Sequence, residues 1–334
     1  MSWLRCWKVA PVEDFLACRF CGCDVMSDKP AVSVVIATFN RAAYLPATID
    51  SVLNQSFQDF EVIVVDDGST DDTQAVLAGY GSRLRCFHQA NAGASAARNF
   101  GVSQARAPWI AFQDSDDLSM PTHLETLIDF VRKHHDRGMV FANGGYLENR
   151  RHDTIIPAHQ SRRLESAGVS LLDLFEKSIV RLQASILSKA AYESLGGMDE
   201  SLQICHDLDL AFRVFMRYPV KYCNQVVFLY RTHHGSITRN EEIRLTENIR
   251  VIGKLLQEHP EARDLIGTHV VDNRLAYRYY RLAKARWRHN QRAGARLAIQ
   301  QAVRLRPAHL KYRLYQLAMA AYDSKNRVQG AKSA

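Results

Sequence analysis

Two acidic motifs, Val64-Val65-Asp66-Asp67-Gly68-Ser69 and Phe112-Gln113-Asp114-Ser115-Asp116-Asp117, each follow directly on a short apolar run. Strands that end in carboxylates constrain the fold, because an open parallel sheet binds its ligand in the crevice beyond the carboxyl ends of its strands. Two such clusters at one edge point to a nucleotide and a divalent cation.

The surrounding pattern agrees. Val32 to Ala37 is an apolar run ending in Thr38-Phe39-Asn40, Tyr44 to Leu53 has helical periodicity, and Phe60 to Val65 is a second apolar run. Asp71, Asp72 or Thr73 can cap the next helix, Leu84 to His88 reads as a strand, and Ser95 to Ala105 as an Ala-rich helix. Pro108 ends that helix and Trp109 to Phe112 makes a fourth strand. Strands alternating with helices predict an α/β fold with a mostly parallel central sheet covered on both faces.

In order and spacing these residues resemble the family 2 nucleotide-sugar glycosyltransferases. Val32 to Arg41 is similar to the family's opening strand, and Ser51 to Phe57 with Phe60 to Ser69 is similar to its second unit. Asn91-Ala92-Gly93-Ala94-Ser95-Ala96-Ala97-Arg98-Asn99 and Trp109 to Asp117 complete the nucleotide half. The resemblance implies a GT-A fold and transfer that usually inverts the anomeric centre.

A sugar donor with a diphosphate leaving group needs charge neutralisation as the glycosidic bond breaks, which Mn²⁺ or Mg²⁺ supplies as a Lewis acid. Asp116 is the first choice for the metal and Asp114 for the ribose or the metal, work the resemblance assigns to the Asp-x-Asp pair. Asp67 is placed to accept the base N–H of uracil or thymine, with Thr38 and Phe39 as a wall beside it. Arg98 suits the diphosphate, because a guanidinium matches phosphate oxygens in bidentate geometry. Blander readings stand beside these: Asp66 to Asp72 as a polar turn and helix cap, and Arg98 as a solvated helix residue. A calcium loop over Asp114 to Glu125 is rejected, since Ser119 stands where Gly is needed and Leu118 where an oxygen ligand is needed.

The second half should supply the acceptor side and the catalytic base. Ile186 to Tyr192 followed by Leu195-Gly196-Gly197-Met198-Asp199-Glu200 resembles the family's acceptor-side segment, which precedes a helix bearing a Glu-Asp pair. Here that helix begins Cys205-His206-Asp207-Leu208-Asp209, so Asp207 matches the base that deprotonates the acceptor hydroxyl, and His206 stands where the family most often has Glu. Asp209 is the reserve candidate, and a plain helix-start charge is the bland reading of Asp207. A His-Asp metal-dependent phosphohydrolase is disfavoured, because Asp207 and Asp209 point to different helix faces. Tyr230 to Thr238 looks like the family's closing loop, where His234 or His233 can touch the diphosphate.

The chain has 334 residues, 47% of them hydrophobic, enough for a sizeable core. No apolar run approaches the ~20 residues of a membrane span, and Met1 to Ala17 is too broken by charge for a secretory signal. A cytoplasmic location is the expectation, where donor nucleotide sugars are made. Residues 1–25 crowd Cys6, Cys18, Cys21 and Cys23 into an extension without counterpart in the family. A mis-assigned start before Met26 is the preferred explanation, and a small zinc site the alternative. Cys86, Cys205 and Cys223 read as buried, reduced thiols.

Residues 26–240 form the expected GT-A domain, with a nucleotide half to about 130 and an acceptor half beyond. Residues 241–334 hold 19 Lys and Arg against 8 Asp and Glu, whereas the preceding 240 residues carry a net charge of −3. Tyr277 to Trp287 and Gln291 to Leu305 read as two helices in this basic region, with Pro307 ending the second. A solvated face is the default use of this charge, an anionic cytoplasmic membrane surface the favoured one, and nucleic acid the least supported.

The sequence therefore predicts a metal-dependent, inverting glycosyltransferase, with Mn²⁺ or Mg²⁺, a nucleoside diphosphate sugar donor (UDP- or dTDP-sugar) and a saccharide or lipid-linked saccharide acceptor. Bacterial cell-surface polysaccharide or glycolipid assembly is the expected setting. A sugar-phosphate nucleotidyltransferase is the first alternative, though Thr38-Phe39-Asn40-Arg41 is not its Gly-rich basic loop. A non-catalytic nucleotide-sugar-binding scaffold is the second, prompted by His206.

Overall fold

The computed structural model describes residues 29–134, 138–147, 154–177, 179–232 and 240–332, with side chains to residue 322. The cysteine-rich extension and both His233 and His234 lie outside the described residues.

The nucleotide half alternates β1 (Val32–Thr38), α1 (Leu45–Leu53), β2 (Phe60–Asp66), α2 (Thr73–Ala78), β3 (Arg85–His88), α3 (Ala94–Gln104) and β4 (Trp109–Asp114). β5 (Leu118–Ser119), α4 (His123–His134), β6 (Met139–Tyr146), α5 (Ala158–Ala167) and α6 (Leu171–Lys177) follow. Then come β7 (Ser185–Ser188), α7 (Lys189–Ser194), α8 (His206–Arg217) and β8 (Val220–Tyr230). Five helices complete the chain: α9 (Glu241–Glu258), α10 (Ala262–Ile266), α11 (Thr268–Arg288), α12 (Arg292–Leu305) and α13 (Leu310–Lys332).

Among the described residues eight strands form one sheet in the order β3-β2-β1-β4-β7-β6-β8-β5. β3, β2, β1 and β4 run parallel, as the alternating pattern predicts. β7 inserts antiparallel between β4 and β6, and β8 lies parallel to β6, so the sheet is mixed but largely parallel. The register pairs Thr38 with Asp66 and Ala37 with Asp114, which brings both acidic strand ends to the same sheet edge.

Alternation along the strands feeds two cores. Val34 and Ile36 of β1 pack with Leu45, Ile49 and Leu127, while Val35 packs on the other face with Ile63, Phe112 and Leu210. Strands buried on both faces read as continuous apolar runs. The second core also takes in Val251, Ile252 and Leu255 of α9 and Leu275 of α11, so the C-terminal helical region begins inside the sheet's own core. Tyr280, Ala283, Ile299, Tyr312 and Met319 make a separate small core between α11, α12 and α13. Among the described residues, no helix is long and apolar enough to cross a membrane.

α3 lies close on β1 at Gly101, where an added Cβ would stand 2.5 Å from Val35 Cγ1. Val35 is fully buried and has no room to yield. Gly101→Ala should therefore destabilise by about 1–3 kcal/mol through overpacking, outweighing the ~1 kcal/mol that Ala contributes as a better helix former. Urea unfolding measures the sign, and a rise in stability would show that α3 can back away from the sheet.

Candidate functional site

The edge beyond β1, β2 and β4 is organised by side-chain-to-backbone hydrogen bonds. Asn40, in the left-handed region at φ 50°, accepts from Thr70 N at 2.8 Å and Asp71 N at 3.3 Å, and its own N–H donates to Ser69 Oγ at 2.9 Å. Arg41 N donates to Thr73 Oγ1 at 3.1 Å, so the loops after β1 and β2 are fastened together. Phe39 stands at this rim with 43% of its surface exposed. Thr38 is buried beside it, and its Oγ1 has no hydrogen-bond partner among the described residues.

The two aspartates ending β2 do different work. Asp66 accepts from Ser69 N and His88 Nδ1, each at 3.0 Å; burial pushes its carboxyl up, but these bonds outweigh it and hold it below the ordinary range. Asp67, expected to meet the base, is 3% exposed and shapes the loop before α3. Its Oδ1 accepts from Gln89 Nε2 at 2.8 Å and Ala92 N at 2.9 Å, and its Oδ2 from Gly93 N at 2.8 Å. Gly93 has φ 97°, which favours glycine at this N-cap.

Arg98, expected at the diphosphate, is 7% exposed and hydrogen-bonded inside the protein. One terminal nitrogen donates to Asp114 Oδ1 at 2.5 Å, and the other to His206 Nε2 at 2.9 Å. Burial opposes its charge, but attraction from Asp114 and Asp207 more than compensates. The guanidinium thereby joins the nucleotide half, through α3 and β4, to the start of α8.

His206 Nε2 also lies 3.0 Å from Asp207 Oδ1. A neutral ring accepts from Arg98 at that nitrogen, whereas a protonated ring donates to Asp207. The Asp207 side chain is 27% exposed, enough to meet a ligand. Burial pushes its carboxyl up, yet attraction to His206, Arg98 and Arg181 holds it below the ordinary carboxylate range. Asp209, the reserve candidate for the base, is 2% exposed and paired with Arg213 at 2.6 Å and Lys254 at 3.1 Å. The helical turn sends it to another face of α8, where it secures α9.

The loop after β4 carries three carboxylates. Asp114 is raised from its ordinary value by burial and by repulsion from Asp116 and Asp207, against the pull of Arg98. Asp117, 1% exposed, is pushed up to about 8 by burial and then by the charge of Asp114. Asp116 faces Arg41 at 3.3 Å with its side chain 21% exposed. Arg231 closes over this loop, its N–H donating to Asp117 Oδ1 and its Nε to the Asp116 carbonyl, both at 2.9 Å.

A region where buried carboxylates raise one another is short of positive charge. No three His, Cys, Asp or Glu residues among those described form a ready metal cage. That donor set still fits Mg²⁺ or Mn²⁺, because Mg²⁺ is usually held by one or two carboxylates together with substrate phosphates.

Two residues escaped sequence reasoning. Gln183, just before β7, donates through Nε2 to Asp114 Oδ2 and Asp117 Oδ2, and its buried Oε1 has no partner among the described residues. Glu247 of α9, inside the basic region, accepts from the backbone N–H groups of Gln203 at 2.7 Å, Ile204 at 2.8 Å and Cys205 at 2.9 Å. It thus holds the loop that launches α8. Neither carries a signal in the sequence: α9 holds four Glu against three Lys and Arg, so Glu247 does not stand out, and Gln183 lies in no motif.

With this geometry in place, comparison with known proteins places the chain in a class. Residues 33–192 match the model for Glycosyl transferase family 2, the chain is similar to glycosyltransferases along two thirds of its length, and its fold is of the GT-A type. An uncharacterized glycosyltransferase of Rickettsia typhi is 28% identical over 221 residues, covering 66% of this chain and 69% of its own. S. aureus TarS in complex with UDP-GlcNAc matches with a TM-score of 0.58 at 18% identity, over 88% of this chain and 92% of that one. The mannosyltransferase PcManGT from Pyrobaculum calidifontis, in complex with GDP-Man and Mn²⁺, matches at 0.55 and 17% identity, over 87% and 84%. At such identities the two structures establish the fold alone.

Glu247→Gln should reduce both stability and turnover, because one end of an amide cannot accept what a carboxylate accepts and buried N–H groups lose about 1–3 kcal/mol each when orphaned. Thermal unfolding and kcat should fall together, while nucleotide affinity stays near wild type. Unchanged turnover would show that α8 keeps its place without α9.

Proposed function

We propose that the chain transfers a sugar from a nucleoside diphosphate donor to an acceptor hydroxyl in one displacement that inverts the anomeric carbon. The observation that carries this reading is the shared Arg98 guanidinium. It ties Asp114, at a nucleotide-half strand end, to His206, whose neighbour Asp207 has a partly exposed side chain.

Asp207 is the base. It is ionised at neutral pH, and when the His206 ring accepts from Arg98, the buried Asp207 Oδ1 is left without a donor among the described residues, so the carboxylate keeps accepting capacity for the acceptor hydroxyl. As the acceptor oxygen attacks the anomeric carbon, its proton passes to Asp207, and the bond to the diphosphate breaks on the opposite face. Asp116 and Asp114 would hold Mn²⁺ or Mg²⁺ jointly with the donor's phosphates. When bound, the cation supplies Lewis-acid neutralisation of the leaving diphosphate.

Arg98 and Gln183 act by positioning Asp114. Phe39 and Thr38 line the nucleoside side, and Asp67 Oδ2, with one acceptor position in use, keeps capacity for a base N–H. UDP- or dTDP-sugars fit such an acceptor, a reading supported by the UDP-GlcNAc complex of TarS. Mn²⁺ in PcManGT supports a divalent ion. A saccharide or lipid-linked saccharide acceptor in bacterial surface assembly completes the proposal.

Thermal shifts with UDP, dTDP, GDP and their sugars, each with Mn²⁺ and with EDTA, should reveal one nucleotide class whose stabilisation needs the ion, because a ligand that binds only the folded state raises its stability. Asp116→Ala should remove the metal-dependent part of that shift; an undiminished metal requirement sinks its assignment. Asp207→Asn should lower transfer by roughly 10²–10⁴-fold with the nucleotide shift retained. Retained transfer in that variant would refute Asp207 as the base.

A further inference from the structure

Helix α13 is apolar on two opposite faces. Tyr312 and Met319 turn inward, 5% and 2% exposed, into the small core with Tyr280 and Ile299. Tyr315 joins them, meeting Tyr280 edge-on with ring centroids 5.4 Å apart. On the other side Leu310, Leu314 and Leu317 are 67%, 56% and 65% exposed. Their spacing of four and then three residues places them on one stripe. Exposed Lys311 and Arg313 lie on either flank of it.

A continuous exposed leucine stripe marks a surface with a partner. The charge around it selects that partner. From residue 273 to residue 322 the chain holds twelve Lys and Arg and no Asp or Glu; Arg278 is buried and Arg281, Arg286 and Arg288 pair with Glu241 and Glu242 of α9, which leaves eight, Lys311 and Arg313 beside the stripe among them. A second copy would bring the same charge to the contact and repel it. Nucleic acid would satisfy the bases but leave three leucines in water. An anionic bilayer satisfies both, because its headgroups take the cations while the acyl boundary takes the leucines.

We propose that the outer face of α13 seats this enzyme in the interface of an anionic lipid membrane, with Leu310, Leu314 and Leu317 entering the acyl boundary and Lys311 and Arg313 at headgroup level. The proposal is independent of the sugar-transfer reading, since vesicle binding is scored without donor or acceptor.

Co-sedimentation of the full chain with vesicles of phosphatidylcholine, and of phosphatidylcholine mixed with phosphatidylglycerol, tests it. The wild-type chain should sediment with the mixed vesicles, release as salt is raised, and ignore the neutral ones. Leu314→Glu with Leu317→Glu should weaken partitioning by at least about tenfold at an unchanged unfolding midpoint, since both side chains project into solvent. Lys311→Glu with Arg313→Glu should weaken it at low salt and serves if the leucine pair misfolds. The proposal falls if the wild type stays in the supernatant, if neutral vesicles bind it equally, or if light scattering finds a dimer that the leucine pair dissolves. Capture by duplex DNA in place of vesicles would equally overturn it.

Discussion

The site depends on a buried cation. Arg98 is held where burial opposes its charge, and it is tolerable there only because Asp114, His206 and Asp207 surround it. Leaving one member of a buried pair without its partner typically costs about 3–5 kcal/mol. The guanidinium is planar and forked, so satisfying it also fixes direction: β4 must present Asp114 on one side while α8 presents His206 on the other. Sheet and helix are held in register by that geometry.

Support for α8 comes from the opposite side as well. Glu247 gathers three backbone N–H groups at 203–205, and Asp209 pairs with Lys254. Helix α9, which composition assigns to a basic tail, is therefore part of the apparatus that aims Asp207. Net charge describes the surface of the C-terminal region well and its inner face poorly, because one buried acid with three donors outweighs many solvated bases in positional effect. The charge collects on the outer helices, α11 to α13, where the exposed leucines also lie.

Carboxylate crowding gives the loop after β4 its character. Asp114, Asp116 and Asp117 sit where mutual repulsion and burial raise the first and the last, against Arg41, Arg98, the Gln183 amide and the Arg231 N–H. Such a loop is tuned to receive positive charge. The strand ends bring it to the rim where Thr38, Phe39 and Asp67 gather.

Much of this was legible in the residues alone. The runs Val32–Ala37, Phe60–Val65 and Trp109–Phe112 declare strands because burial on both faces leaves no polar alternation, and the acids directly after them mark strand ends that the register brings to one sheet edge. Asp207 could be singled out by its position in a motif. What Arg98 does could not, since its partner His206 lies 108 residues away, and Gln183 and Glu247 act on groups 69 and 42 residues distant. Local pattern reports which residues form an element and which face it buries, because those depend on neighbours in sequence. Which buried charge meets which, and so whether an arginine clamps a ligand or locks two halves together, is decided when the chain closes and desolvation makes every unpaired group expensive.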